Sequence, residues 1–267
     1  MTRANEGALT ASQSELIDQL DDALRTGRGA RPPSSLTLAD GYAIQDAWAG
    51  RRRMHGERQV GYKIGLTTPA ARAPWDAHEP GRGILFDSSL LTSPAHVSGT
   101  GLPLAFEVEL AIELGDTVTE SDDADSLLQK VRASGPAFEL VSSRWQGGAP
   151  NIGAWAADDG MASAVVTSLT DGNDIPNTLS ATSEASAMGR EDKVSGTRTR
   201  RDALDSVLWL ARQRIHYPGV RLDAGTLVLT GSIIGPVPLE VGSTRVTAAL
   251  AGFDPITMTV DRHARTQ

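Results

Sequence analysis

The chain has 267 residues, with 25 Lys+Arg against 33 Asp+Glu and no cysteine. The missing cysteines exclude a disulfide framework, a zinc finger and a cysteine nucleophile. The acidic balance argues against a nucleic-acid partner, whose footprint is a basic patch. A chain of this length folds as one large domain or two and buries roughly 70–75% of its unfolded surface.

The polar start, to about Ser12, reads as frayed and has no apolar segment like that of a signal peptide. No stretch reaches the ~20 apolar residues that span a bilayer. The expectation is a cytoplasmic protein with no membrane partner.

Leu16, Ile17, Leu20, Ala23 and Leu24 recur at helical spacing, with Ser14 as an N-cap and Gly27 and Gly29 as the stop. Arg31 to Ser35 reads as an extended linker. Thr37 caps a second helix through Ala39, Tyr42, Ala43, Ala47 and Trp48. The run Arg51-Arg52-Arg53 reads as its solvated end. Strand pieces follow at Val60–Leu66, Ile84–Phe86 and Leu90–Leu91, with an irregular Thr68–Glu79 between the first two. Leu104–Leu114 is the clearest strand. A helix is expected over Ala124–Ala133, and strands over Ala137–Val141 and Ala162–Thr167. Asp171–Ser186 reads as loop. Leu204–Ile215 is helical, and Thr226–Thr230, Thr244–Leu250 and Ile256–Val260 are strands. Strands and helices do not alternate regularly, which disfavours a doubly wound parallel sheet.

In Phe106-Glu107-Val108-Glu109-Leu110 the two acids share one face of a strand, and the apolar residues share the other. Carboxylates about 6.6–7 Å apart along a strand can converge on one cation. Without a counter-ion they raise each other's pKa. A hard divalent ion such as Mg²⁺ removes that conflict. For an isolated Glu-x-Glu, a polar outer face is the ordinary reading. Glu113 is about 13 Å from Glu109 along the strand and receives no role. Glu139 stands alone in the apolar segment Pro136–Val141, so it needs a cation or a partner and is the natural third ligand. Lys63 sits between glycines in an apolar strand, placed to bind a carboxylate or polarise a carbonyl. A lysine reaching out from a strand edge is the commoner reading of any single case.

Taken in order, Gly61-Tyr62-Lys63-Ile64-Gly65-Leu66-Thr67, Phe106–Ala111 and Pro136–Arg144 resemble one family. It is the 2-keto-4-pentenoate hydratase and 4-oxalocrotonate decarboxylase family, within the fumarylacetoacetate hydrolase superfamily. The resemblance continues through Ala157-Asp158-Asp159, Ala203–Leu210 and Ala224–Ser232, and it covers roughly Leu16 to Val260. It implies an α+β fold, a mixed β-roll or barrel-like sandwich with a helical N-terminal region. The expected organisation is a helical arm over 1–60 and a β-rich catalytic body over 61–267, forming one structural unit. It implies Mg²⁺ or Mn²⁺ held by Glu107, Glu109 and Glu139, with Lys63 catalytic. Leu66, Ser163, Thr230, Gly231 and Ser232 are the implied substrate-binding positions.

The implied substrate is a small 2-oxo or 2-hydroxydienoic acid from aromatic catabolism. The implied reaction is hydration of a 2-hydroxy-2,4-dienoate to a 4-hydroxy-2-oxo acid, by a homo-oligomer. Decarboxylation of a 2-oxo-enoate is the nearest alternative. Another superfamily reaction and a non-catalytic partner subunit remain as further readings. The chain departs from the family pattern at three places. Gly81 stands where the hydratases carry an acid-base Asp, Tyr62 where His is common, and Met161 in a segment that often holds two serines. Asp76, His78 and Glu79 are nearby acid-base groups, but each reads better as an exposed loop residue.

Overall fold

The computed structural model describes residues 10–99 and 101–263. The expected frayed start therefore lies, up to residue 9, outside the described residues. Helices α1 (Ala11–Thr26) and α2 (Leu38–Met54) open the chain. Each begins with a reciprocal capping box, Thr10 with Gln13 and Thr37 with Asp40. The cap of α1 is thus Thr10 rather than Ser14, and Ser14 lies within the first turn. Gly27 ends α1 in the left-handed conformation with φ 67°.

The apolar face of the pair, Ile17, Leu20, Ile44 and Trp48, is buried against Trp145, Ala154 and Ala157. Fully burying side chains of this size stabilises by roughly 1.5–3 kcal/mol each. Arg52 corrects the expectation of a solvated helix end. Its guanidinium lies 3.9 Å from the Phe86 ring centroid and pairs with Glu57 at 2.6 Å.

Next come β1 (Gln59–Gly65), the short helix α3 (Pro69–Arg72), β2 (Gly81–Phe86), β3 (Leu90–Thr92), β4 (Ala95–Gly99) and β5 (Ala105–Leu114). Helix α4 covers Ala124–Gln129 and β6 covers Val131–Val141. The helix is shorter than expected because the strand already claims Val131 and Ala133, whose side chains are buried. Helix α5 (Ile152–Ala157), β7 (Ala162–Thr167) and β8 (Thr170–Asp171) follow.

Strands β9 (Thr178–Ala187) and β10 (Arg190–Thr199) then form a long antiparallel hairpin. The loop expected over Asp171–Ser186 is wrong from Thr178 onward. Leu179, Ala181 and Ser183 alternate inward there, a period of two written in small residues. Helix α6 (Arg200–Gln213), β11 (Leu227–Pro238), β12 (Gly242–Leu250) and β13 (Ile256–Arg262) complete the chain.

One sheet of eight strands runs β2-β1-β11-β5-β6-β7-β3, with β8 added on β6, and it curls into a half-barrel. The second sheet has five strands in the order β10-β9-β12-β13-β4. The main core lies on one face of the larger sheet. Phe106, Val108, Leu110 and Val228 meet Leu179, Val246, Leu250 and Met258 of the second sheet and Leu204, Val207 and Leu208 of α6. This places every second residue of β5 in apolar surroundings. Glu107 and Glu109 are left on the opposite face, inside the curl.

Candidate metal centre

Two neighbouring strands bring the acids together. Glu107 of β5 lies directly across from Glu139 of β6, and Glu109 follows two residues along the same face. One oxygen from each of the three carboxylates lies within 4.8 Å of the others. Glu109 and Glu139 are each 1% exposed. Lys63 of β1 pairs in register with Leu229 of β11, which pairs with Ala111 of β5, so the lysine reaches the same face.

Lys63 Nζ lies 2.8 Å from Glu139 Oε1. Lys63 is the partner of Glu139 Oε1, while among the described residues the buried Oε2 accepts no hydrogen bond. An orphaned, buried carboxylate oxygen of this kind is costly unless a cation meets it. The backbone N–H of Gly231 donates to Glu109 Oε2 at 2.8 Å.

Charge states follow from this crowding. Burial, then Glu139, pushes the Glu107 carboxyl up to about 7, against the pull of Lys63. Burial, Glu139 and Glu107 hold Glu109 well above the usual carboxylate range. Burial depresses Lys63, but Glu139 and Glu107 outweigh it, so the ammonium is held above its ordinary value. An all-oxygen set with one excess of negative charge after another suits a hard divalent cation. The residues therefore fit a hard divalent cation such as Mg²⁺ or Mn²⁺.

Of the remaining expected positions, Gly231 contacts this cluster directly. Leu66 follows β1 with φ 56° and packs, half-buried, beside Trp155 and Met161. Ser232 is the register partner of Glu109. Thr230 is buried, and its hydroxyl donates to the Leu110 carbonyl at 3.0 Å, so it anchors the strand. Ser163 is half-buried on β7, two residues from Val165, the register partner of Glu139. Tyr62 faces the main core and takes no part on the glutamate face; its hydroxyl donates to the Gly219 carbonyl and accepts from Arg221 N–H. Asp76, His78 and Glu79 are exposed, and Glu79 accepts from Trp209 and Gln213. Glu113 pairs with Arg132 at 2.5 Å, away from the triad.

Sequence reasoning missed Trp155, which is 1% exposed and stands with its ring centroid 5.5 Å from Lys63 Nζ. A Cβ on Gly81 would lie 2.3 Å from the indole, and one on Gly65 or Gly160 would lie 3.0 Å from it. The indole thus fills the volume beside the lysine that a side chain at position 81 would need. Sequence reasoning also missed Asp159. It is buried, with its Oδ1 accepting from Ile84 N–H at 2.7 Å, and burial pushes its carboxyl up to about 6. Asp159 and Met161 have φ 54° and 64°, and with Leu66 they gather backbone strain around Lys63.

A 2-keto-4-pentenoate hydratase of Burkholderia vietnamiensis is 30% identical over 221 residues, 79% of this chain and 80% of its own. The 2-hydroxyhexa-2,4-dienoate hydratase of Comamonas testosteroni is 30% identical over 241 residues, 84% and 88% of the two chains. This chain belongs to the 2-keto-4-pentenoate hydratase family. No family model matches it. Among solved structures, the 4-oxalocrotonate decarboxylase of Pseudomonas putida, complexed with magnesium and adipate, superposes with a TM-score of 0.83 at 21% identity. The superposition covers 95% of this chain and 99% of that one, and it establishes the shared fold. Among the described residues no helix is long and apolar enough to cross a membrane.

Proposed function

We propose that this chain is a divalent-metal-dependent hydro-lyase. It adds water to a 2-hydroxy-2,4-dienoate and gives a 4-hydroxy-2-oxo acid. One water is consumed and no oxidant or reductant is needed. The observation that carries the reading is the triad of half-buried Glu107 with buried Glu109 and Glu139, and Lys63 at 2.8 Å from Glu139, in a chain of the hydratase family. Bound there, Mg²⁺ or Mn²⁺ supplies a template and a Lewis acid for a 2-oxo acid.

The chain's own groups supply the rest. Lys63 holds a proton at Nζ beside the cluster and is the proton carrier. Gly231 N–H fixes Glu109. Leu66, Ser163, Thr230, Gly231 and Ser232 bind or frame the substrate, with Leu66 and Trp155 excluding water from the lysine side. The helical arm 1–60 and the body 61–267 act as one unit. The reading extends to a cytoplasmic homo-oligomer in aromatic catabolism.

A second reading, decarboxylation of a 4-oxalocrotonate-type 2-oxo-enoate, is favoured by one observation. The Trp155 ring takes the room a side chain at Gly81 would need, so no acid accompanies Lys63 there.

The test is chelation of the purified protein followed by resupply of Mg²⁺ or Mn²⁺. Dienol absorbance and CO₂ release are followed with 2-hydroxypenta-2,4-dienoate and 2-oxohex-3-enedioate. Hydration without CO₂ supports the first reading, and CO₂ release supports the second. Absence of turnover with both, despite metal binding, overturns both.

A further inference from the structure

Between Leu229 and Ser232, β11 leaves its regular register with β5. Gly231 takes φ 106° there, a conformation that favours glycine. Its N–H turns to Glu109 Oε2. The two carbonyls of this bulge, of Thr230 and Gly231, both accept from Arg198 Nη1, at 2.6 and 2.8 Å. Arg198 Nη2 donates to the Asp202 carbonyl at 3.0 Å and to Ser206 Oγ at 2.7 Å. One guanidinium, standing at the end of β10, therefore ties the bulge of β11 to the first turns of α6.

The Thr230 carbonyl and the Gly231 N–H belong to the same peptide. A trans peptide points these two groups in opposite directions. Arg198 grips one end of that peptide and Glu109 accepts from the other. The fit is tight, since a Cβ on Gly231 would lie 2.6 Å from Arg198 Nη1.

Charge points the same way. Among the described residues no carboxylate is in ion-pair contact with Arg198; its hydrogen-bond partners are carbonyls and a hydroxyl. Lys63 and a divalent cation together offset the three glutamates. Arg198 is then the charge left over behind the segment where an anionic substrate is placed.

We propose that Arg198 is a positioning residue: it orients the Thr230–Ser232 bulge so that Gly231 fixes Glu109 for metal binding and the bulge faces an anionic substrate. The inference rests on the metal site of the proposed function.

The test uses the full chain, freed of metal, as wild type, Arg198→Met and Arg198→Lys. Mn²⁺ affinity is read by electron paramagnetic resonance, KM and kcat with the dienoate, and folding by circular dichroism. A hydrogen bond to a charged group is worth about 1.5–3 kcal/mol, so Arg198→Met is expected to weaken Mn²⁺ binding and raise KM by roughly tenfold or more each. Arg198→Lys keeps the charge but cannot span both carbonyls and α6, and it is expected to fall between.

Removing a nearby cation by itself would tighten Mn²⁺ binding. Unchanged or tighter binding with an unchanged KM in a folded Arg198→Met therefore overturns the proposal. If Arg198→Met does not fold, wild-type Mn²⁺ affinity and KM in Arg198→Lys overturn it instead. The Mn²⁺ titration needs no substrate. Loss of dienoate turnover in the wild type, with Mn²⁺ binding intact, counts against the proposed reaction alone.

Discussion

Lys63 Nζ and Glu139 Oε1 meet at 2.8 Å with both side chains buried. The lysine is the only basic side chain in ion-pair contact with the triad among the described residues. Replacing it separates its two roles. Lys63→Met removes the proposed proton carrier, and such a group typically contributes about 10²–10⁴ in rate. It also removes a positive charge beside the three carboxylates. We expect kcat to fall by about that factor while Mg²⁺ or Mn²⁺ binds at least as tightly as in the wild type. Equal losses in kcat and metal affinity in a folded variant would assign Lys63 to the metal cradle instead. Calorimetric titration and steady-state kinetics on one preparation decide this.

The raised carboxyls make metal binding depend on pH. With Glu107 pushed up to about 7, the metal-free cluster holds protons at mildly acidic pH. A cation must displace them, so apparent affinity rises as pH increases through about 7. The sign for stability is opposite. A carboxyl raised in the fold stabilises below its ordinary range and loses that contribution as pH rises through its folded value. Metal-free protein is therefore expected to melt lower at pH 8 than at pH 5.5 as far as this cluster is concerned, and added Mg²⁺ should recover the loss at pH 8. Melting curves at the two pH values, with and without Mg²⁺, check it. A metal affinity flat between pH 5.5 and 8 would refute the assignment of Glu107.

The acids of β5 were legible because Phe106, Val108 and Leu110 alternate with Glu107 and Glu109, and a period of two decides their face without any partner strand. Glu139 was legible as a misfit in an apolar run. Its register opposite Glu107 was not, since cross-strand pairing depends on the long connection through α4 and on the register shift between Glu113 and Leu114. Strand β9 escaped because Ala, Ser and Thr carry much of its alternation, and their hydrophobic contrast is small. Trp155 escaped for a different reason. It lies in a six-residue helix, and its meaning comes from Gly65 and Gly81, which are distant in sequence and close in space. Arg198 is an ordinary strand arginine until the bulge at Gly231 places two carbonyls before it.

Glu113 offers a control within the same strand. It shares the face of Glu107 and Glu109 but pairs with Arg132, whose side chain is half exposed. Exposed pairs are worth about 0–1 kcal/mol. Glu113→Gln is expected to leave metal affinity and kcat unchanged and to shift unfolding free energy by less than about 1 kcal/mol. A lowered metal affinity in Glu113→Gln would mean that the cation lies further along β5 than the triad places it.

The packing of Gly81 on Trp155 can be measured as a coupling. A Cβ at position 81 would lie 2.3 Å from Cζ3 and 2.6 Å from Cη2 of the indole, contacts that rigid, fully buried rings cannot relax cheaply. Gly81→Ala in the wild type is expected to cost about 1–3 kcal/mol through overpacking. Trp155→Ala is expected to cost about 3–5 kcal/mol by leaving a cavity. In the double variant the new methyl enters the space the indole vacated. The clash is gone, so the double variant should be more stable than the two costs added together by about 1–3 kcal/mol, within the range seen for residues in contact. Urea unfolding of the four proteins closes the cycle. Additive costs would show that Gly81 is kept for its backbone rather than for the indole, and would reopen position 81 to a side chain beside Lys63.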